Sequence, residues 1–233
     1  MEWTGVSVAK EQILVFAAIG GRFPLDEVGA AFEHIHDVTV IYDYGGTGRL
    51  ANKVLAGIHP DVFIAGSEKW ALVLKEKGYV SNVYPIVKHI PVVIAPLKNN
   101  LVQSLFDITQ SNLKLVFGDP DACAIGNTTL KILGSASINK NDIPLCAQGI
   151  TVKQLILWVE QGVADASIVW RADALQSSKV RVVEIPAAFN HISYIPICRM
   201  KTENESEAVK KYIDFVLNEG IDFFEKHGFE TYK

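Results

Sequence analysis

Short apolar runs alternate with amphipathic stretches along most of the chain. Residues 12–18, QILVFAA, form an apolar run bounded by Ile19, Gly20 and Gly21, which predicts a buried parallel strand ending in a turn. Phe23-Pro24-Leu25 follows, with proline suited to a first helical turn, and Val28, Ala31, Phe32 and Ile35 then line one helical face. Residues 38–42 predict the next strand. Gly45-Gly46-Thr47-Gly48 opens a second amphipathic run, with Leu50, Val54, Leu55 and Ile58 at helical spacing. His59-Pro60-Asp61 breaks that run, and residues 62–65 read as a buried strand. Residues 70–77 predict a helix stopped by Gly78. The pattern so far is strand and helix in alternation, for which right-handed crossovers are expected.

The second half repeats the alternation. Residues 90–95, IPVVIA, predict a strand closed by Pro96. Residues 106–113 predict a short helix and residues 113–117 a strand, followed by Gly118-Asp119-Pro120. A helix over 124–133 comes next. Another starts at Thr151, carries Leu155, Ile156 and Val159 on one face, and stops at Gly162. Strands are expected over 166–170, 180–185 and, as the last one, 194–198. Helices are expected over 206–217 and 221–227. The fold class is therefore α/β: two doubly wound lobes, one formed by residues 1–89 plus 194–233 and the other by 90–193. The chain is expected to cross near 88–91 and return near 190–194, with the C-terminal helices on the first lobe. In such folds ligands bind outside the carboxyl ends of the strands, here in a cleft between the lobes.

Composition narrows the function classes. The 233 residues carry a formal net charge of −4, and no basic stripe with interleaved aromatics occurs, which argues against nucleic-acid binding. No apolar run reaches the ~20 residues of a membrane span. Cys123, Cys146 and Cys198 lack metal-ligand spacing and read as small apolar residues, although Cys123 and Cys146 could pair in an exported chain. His34, His36, His59, His89, His191 and His227 are scattered and suggest no metal set, and no cofactor motif is present. Met1-Glu2-Trp3-Thr4 leads almost directly into a strand, without a leader; either the protein stays in the cytoplasm or a leader has been removed. No nucleophile elbow or acid–base pair stands in the loops, so binding is favoured over catalysis.

The glycine-rich turns carry the candidate chemistry. A glycine turn feeding a helix leaves backbone N–H groups free at the positive end of the helix dipole, where an anion is accepted without a lysine or arginine. The turn at Gly45–Gly48 is not a P-loop, because Arg49 and Leu50 stand where lysine and Ser/Thr would be needed. Four helix starts qualify: after Gly20, after Thr47, after Ala124, and near Val152. A shell made only of donors favours a fully deprotonated tetrahedral oxyanion, since a protonated one brings an O–H with no acceptor, a mismatch of ~1–3 kcal/mol. Arg22 and Arg49 stand beside these starts. They either point to solvent or fork onto an anion, and the second case would suit a larger or organic ligand.

The ordered set of pieces resembles the periplasmic molybdate-binding proteins of ABC uptake systems, which have the type II periplasmic-binding-protein fold. The matching pieces are Val15-Phe16-Ala17-Ala18, Gly48-Arg49-Leu50 with Lys53 and Gly57, and Asp61-Val62-Phe63-Ile64. Gly118-Asp119-Pro120, Ile168-Val169-Trp170 with Ala172-Asp173-Ala174, Tyr194-Ile195-Pro196 and His227-Gly228-Phe229 complete them. The loops at Ile19-Gly20-Gly21 and Gly66-Ser67-Glu68-Lys69-Trp70 look like a divergent branch similar to the accessory colonisation factor group. The resemblance implies an oxyanion (molybdate or tungstate, with sulfate as an alternative) held by amides and hydroxyls. The family's first serine position falls on Gly20, beside Gly21, so that hydroxyl is absent. Its second falls on Thr47, followed by Gly48 and preceded by Gly46. Its amide contacts fall on Ile125 and Val152. Its tyrosine falls on Trp170, whose indole N–H donates but does not accept. The resemblance further implies a periplasmic or extracellular, membrane-associated location and a membrane permease as partner. The alternative is a sensor or receptor domain of the same fold that binds a small organic anion.

Overall fold

The computed structural model describes residues 10–98, 100–202 and 206–232, so the expected lead-in at residues 1–4 lies outside the described residues. The chain divides into two compact units. The first comprises Met1–Val87, Tyr194–Lys226 and Thr231–Lys233, and the second Lys88–Ser193 and His227–Glu230.

In the first unit β1 (Glu11–Ala18) ends in a 3-10 turn at Ile19–Gly21, which runs directly into α1 (Arg22–Ile35). Of the α1 face predicted by spacing, Val28 and Phe32 are buried, together with Leu25, Ala31 is half-buried, and Ile35, in the last turn, is 60% exposed and lies off that face. β2 (Val38–Gly45) continues three residues past the predicted end and delivers Gly46 to the start of α2 (Thr47–Leu55). Leu50 and Val54 are buried, but Ile58 is not part of the apolar face. The helix ends before it, Gly57 takes φ +94°, and Ile58 is 52% exposed. β3 (Val62–Ile64) and α3 (Glu68–Glu76) follow. β4 (Val80–His89) was not foreseen.

In the second unit β5 (Pro91–Pro96) is followed by a 3-10 turn at Leu105–Thr109 in place of the helix expected over 106–113. Asp107 fixes that turn: its carboxylate accepts the amides of Gln103 and Ser104 at 2.8 Å each, and these bonds hold its pKa below the ordinary value. The unit continues with β6 (Leu115–Gly118), α4 (Ala124–Ser135), β7 (Leu145–Gly149) and α5 (Val152–Glu160). β8 (Ser167–Trp170), α6 (Arg171–Ala174) and β9 (Val180–Glu184) complete it. β10 (Ser193–Met200), α7 (Glu207–Leu217) and α8 (Ile221–Lys226) then build on the first unit. β10 is not the last strand, because β11 (Glu230–Thr231) follows.

The largest sheet has the order β11-β4-β10-β3-β1-β2. β1 pairs in parallel with β2 on one side and β3 on the other, and β10 runs antiparallel to β3. The chain therefore leaves β1 in one direction and returns in the other, which makes the β1/β3 carboxyl ends a topological switch point. In the second unit β5 runs antiparallel to both β8 and β9, β6 pairs in parallel with β7, and Leu115 bridges Ala166 in parallel. Each unit has its own core. Phe16, Leu50, Val54, Phe63 and Leu74 are buried together in the first, and Val93, Ile94, Leu115, Ile125, Leu155 and Ile168 in the second. Burying each such side chain contributes about 1.5–3 kcal/mol. Among the described residues no helix is long and apolar enough to cross a membrane.

Candidate functional site

The first unit brings two helix starts to the switch point. α1 begins at Gly21, and no side chain caps it. Gly20 is exposed, and a methyl group added there would meet nothing within 4 Å. α2 begins at Gly46, again with no side-chain cap. Its first residue, Thr47, reaches across to the loop after β3: Thr47 Oγ1 accepts the Gly66 N–H at 3.0 Å. A hydroxyl has one proton to give and two lone pairs. With a lone pair engaged by Gly66, the Thr47 hydroxyl is oriented and its proton is available to an anion. Gly48 packs closely on Trp70: a Cβ there would lie 3.3 Å from the indole, a tight contact. Trp70 and Gly66 therefore shape this loop set, a role the sequence pattern did not reveal.

The two arginines are already engaged by protein groups. Arg22 Nε reaches Asp26 Oδ2 at 3.4 Å, and its guanidinium lies 5.7 Å from the Tyr44 ring centre. Tyr44 in turn donates its hydroxyl to Asp26 Oδ1 at 2.7 Å. Arg49 Nη2 donates to the Tyr44 carbonyl at 2.9 Å and lies 3.5 Å from Asp43 Oδ1. Asp43 also takes Lys53 Nζ at 2.5 Å. Both guanidinium groups are more than half exposed, so these pairs contribute little to stability. Deeper in, the Tyr42 and Tyr212 hydroxyls meet at 2.7 Å, and burial pushes both phenols well above their ordinary values.

The second unit offers the starts of α4 and α5 at the carboxyl ends of β6 and β7. The α4 turn is exceptionally tight: a Cβ on Gly126 would lie 2.3 Å from the Gly118 carbonyl oxygen. Ile125 buries its side chain in the core, so its backbone alone can serve a ligand. Cys123 occupies the position before the helix. Burial pushes its thiol up, the Ile125 and Gly126 amides act in the opposite sense on the sulfur, and Asp173 and Asp119 raise it further. At α5, Thr151 Oγ1 accepts the Gln154 amide at 3.2 Å, and Gln154 Oε1 accepts the Ile150 amide at 3.0 Å. The Val152 amide sits inside this frame, in the first turn. Trp170 ends β8, is 6% exposed, and stacks on His89 with ring centres 3.7 Å apart.

Asp173, in α6, stands in one of the matching sequence pieces, which gave it no chemical role. Burial pushes its carboxyl up to about 6, with Lys153, beside Val152, pulling the other way. The three cysteines are free. Cys123 and Cys198 are buried as small apolar residues should be, but Cys146 lies exposed on β7, contrary to that expectation. Among the described residues no group of three or more His, Cys, Asp or Glu side chains could hold a metal ion.

Comparison with known proteins adds to this geometry. The family model described as "Bacterial extracellular solute-binding protein" matches residues 13–230. A Haemophilus influenzae protein described as a binding protein is 27% identical over 97% of this chain and 94% of its own. The Escherichia coli molybdate-binding protein ModA is 25% identical over 97% of this chain and 91% of its own. A solved substrate-binding domain from Clostridium difficile, described as part of a molybdenum ABC transporter, superimposes with a TM-score of 0.84 at 23% identity, covering 95% of this chain and 99% of that one. The fold is thus the type II periplasmic-binding-protein fold expected from the order of motifs.

Proposed function

The chain belongs to the bacterial extracellular solute-binding proteins, and from that membership we propose that it captures a small oxyanion, molybdate or tungstate, for the membrane permease of an ABC transporter. Members of this family bind solutes rather than transform them, and they act outside the cytoplasm. A periplasmic or membrane-associated location fits that role. The observation that carries the ligand class is the Thr47 hydroxyl, oriented by the Gly66 N–H at 3.0 Å beside an uncapped α2 start. It supplies donors, while Arg22 and Arg49 are paired with Asp26 and Asp43. Gly20, Gly21, Gly46, Gly48, Ile125 and Val152 would add amides, and Trp170 an indole N–H. Donors without a dedicated acceptor suit a deprotonated tetrahedral dianion, with sulfate the smaller candidate.

A second reading, a receptor or sensor domain for a small organic anion, is favoured by the space at Gly20 and Gly46, where an added Cβ would meet nothing within 4 Å. Ile19 and Phe23, 52% and 54% exposed, flank that space with apolar surface. Thermal shift and calorimetric titration with molybdate, tungstate, sulfate and small carboxylates separate the two. Stabilisation by molybdate and tungstate supports the first. Response to carboxylates alone supports the second and overturns the first.

A further inference from the structure

We propose that His89 is a positioning residue for Trp170, and that the C-terminal segment His227–Glu230 holds His89 in place. The inference rests on the reading of Trp170 as a ligand contact and deepens it.

His89 ends β4, two residues after the chain passes from the first unit to the second. It is 8% exposed, and its ring stacks on the Trp170 indole at 3.7 Å with the planes 21° apart. Phe229 approaches His89 at 6.3 Å and 40°. Phe229 belongs to a stretch that joins the second unit although the chain on either side of it belongs to the first. Several contacts fix that stretch. Gln176 Nε2 donates to the His227 carbonyl at 3.2 Å. Gly228 takes φ +84°, and a Cβ there would fall 2.8 Å from Leu175, so only glycine fits. Glu230 ion-pairs with Lys88, the neighbour of His89, and with Arg171, the neighbour of Trp170, at 3.7 Å in the latter case. Arg171 is itself tied by its amide to the Ile90 carbonyl at 2.8 Å and by its side chain to Glu184 at 3.5 Å.

The residues around Trp170 therefore come from three separate stretches: the crossing strand, the C-terminal segment and its own turn. A large aromatic held on one face keeps its indole N–H in one direction. Less rotamer freedom is then lost when a ligand arrives, which is the physical content of preorganisation. A phenylalanine in place of His89 preserves the flat ring; an alanine does not.

The test uses the full chain and molybdate, with tungstate in parallel. Affinity is measured by calorimetry, ligand-free melting temperature is recorded for each variant, and Trp170 emission is isolated by difference against Trp170→Phe. His89→Ala should weaken binding about tenfold and shift the Trp170 emission. His89→Phe should bind within about threefold of the parent, and Phe229→Ala should fall in between. In the Trp170→Phe background the effect of His89→Ala should shrink, because the two residues act as one unit. A purely structural role would lower the melting temperature and leave affinity and coupling untouched. Parent-like affinity in His89→Ala, or His89→Phe as weak as His89→Ala, would overturn the proposal, as would unchanged Trp170 emission in His89→Ala. A parent protein that binds neither oxyanion would instead overturn the proposed function; the emission shift would still decide whether His89 positions Trp170.

Discussion

Thr47 is where a single atom decides the most. Its Oγ1 already receives the Gly66 N–H, so its remaining proton is the one free to meet an oxyanion. A hydrogen bond to a charged partner is worth about 1.5–3 kcal/mol. Thr47→Ala should therefore weaken molybdate binding by roughly 10- to 100-fold, whereas Thr47→Ser should stay close to the parent; calorimetric titration measures both. Asp173 yields a prediction of a different kind. Its carboxyl is raised to about 6 by burial, against about 3.9 in an unfolded chain. The folded protein thus binds more protons than the unfolded one between pH 4 and 6, and the penalty of the buried charge grows as pH rises through that window. Asp173→Asn should leave stability unchanged near pH 4 and raise it near pH 7.5. Two pKa units correspond to about 3 kcal/mol at most, which partial exposure reduces to about 1–2. Urea unfolding at the two pH values measures the difference. In the proposed site, where the anion meets the α4 and α5 starts, the negative charge near Lys153 and Cys123 would oppose it, so the same variant should bind molybdate more tightly at pH 7.5.

At the scale of elements, the junction of β6 and α4 is the least forgiving. Gly126 packs directly on the Gly118 carbonyl, with room for no Cβ, and backbone cannot swing aside as a side-chain tip can. Gly126→Ala should cost about 3 kcal/mol, at the upper end of overpacking penalties, and should displace the Ile125 amide; urea unfolding and molybdate titration would show both losses together. Gly134→Ala, where an added Cβ meets nothing within 4 Å, is the control. This junction also marks the limit of what a pattern can reveal. The apolar runs and the turn residues around the helix starts were enough to locate β1, α1, α2, β5, α4, α5 and β8. β4 escaped because Pro85 and the polar residues Ser81 and Asn82 interrupt its apolar run. β7 escaped because Cys146, Ala147 and Gln148 face solvent at an edge. The candidate loops were legible as glycine turns. The Thr47–Gly66 bond, the Trp70–Gly48 packing and the Trp170–His89 stack join residues 19, 22 and 81 positions apart in the sequence, and no local pattern encodes such contacts.

At the scale of the molecule, the proposed donors are divided. Gly20, Gly21, Thr47 and Gly48 belong to the first unit, and Ile125, Val152 and Trp170 to the second. Neither set alone resembles a complete shell for a dianion: a single helix start contributes about half a unit of positive charge, so two starts match about one negative charge and four match two. The proposed dianion reading expects donors from both units, and that expectation has a direct signature in hydrogen exchange. A bound ligand stabilises the state that holds it by RT ln(1 + [L]/Kd), about 2.7 kcal/mol at one hundred times Kd. Amides that touch the anion should exchange more slowly by a corresponding factor wherever their opening releases it. With saturating molybdate, residues 20–22 and 47–49 of the first unit and residues 125–127 and 152–154 of the second should all gain protection, while the α7 amides, remote in sequence from every loop invoked, should change far less. Protection confined to the first unit would remove Ile125, Val152 and Trp170 from the site. It would leave the glycine turns of α1 and α2 as a half-shell suited to a singly charged carboxylate, which is the organic-anion reading.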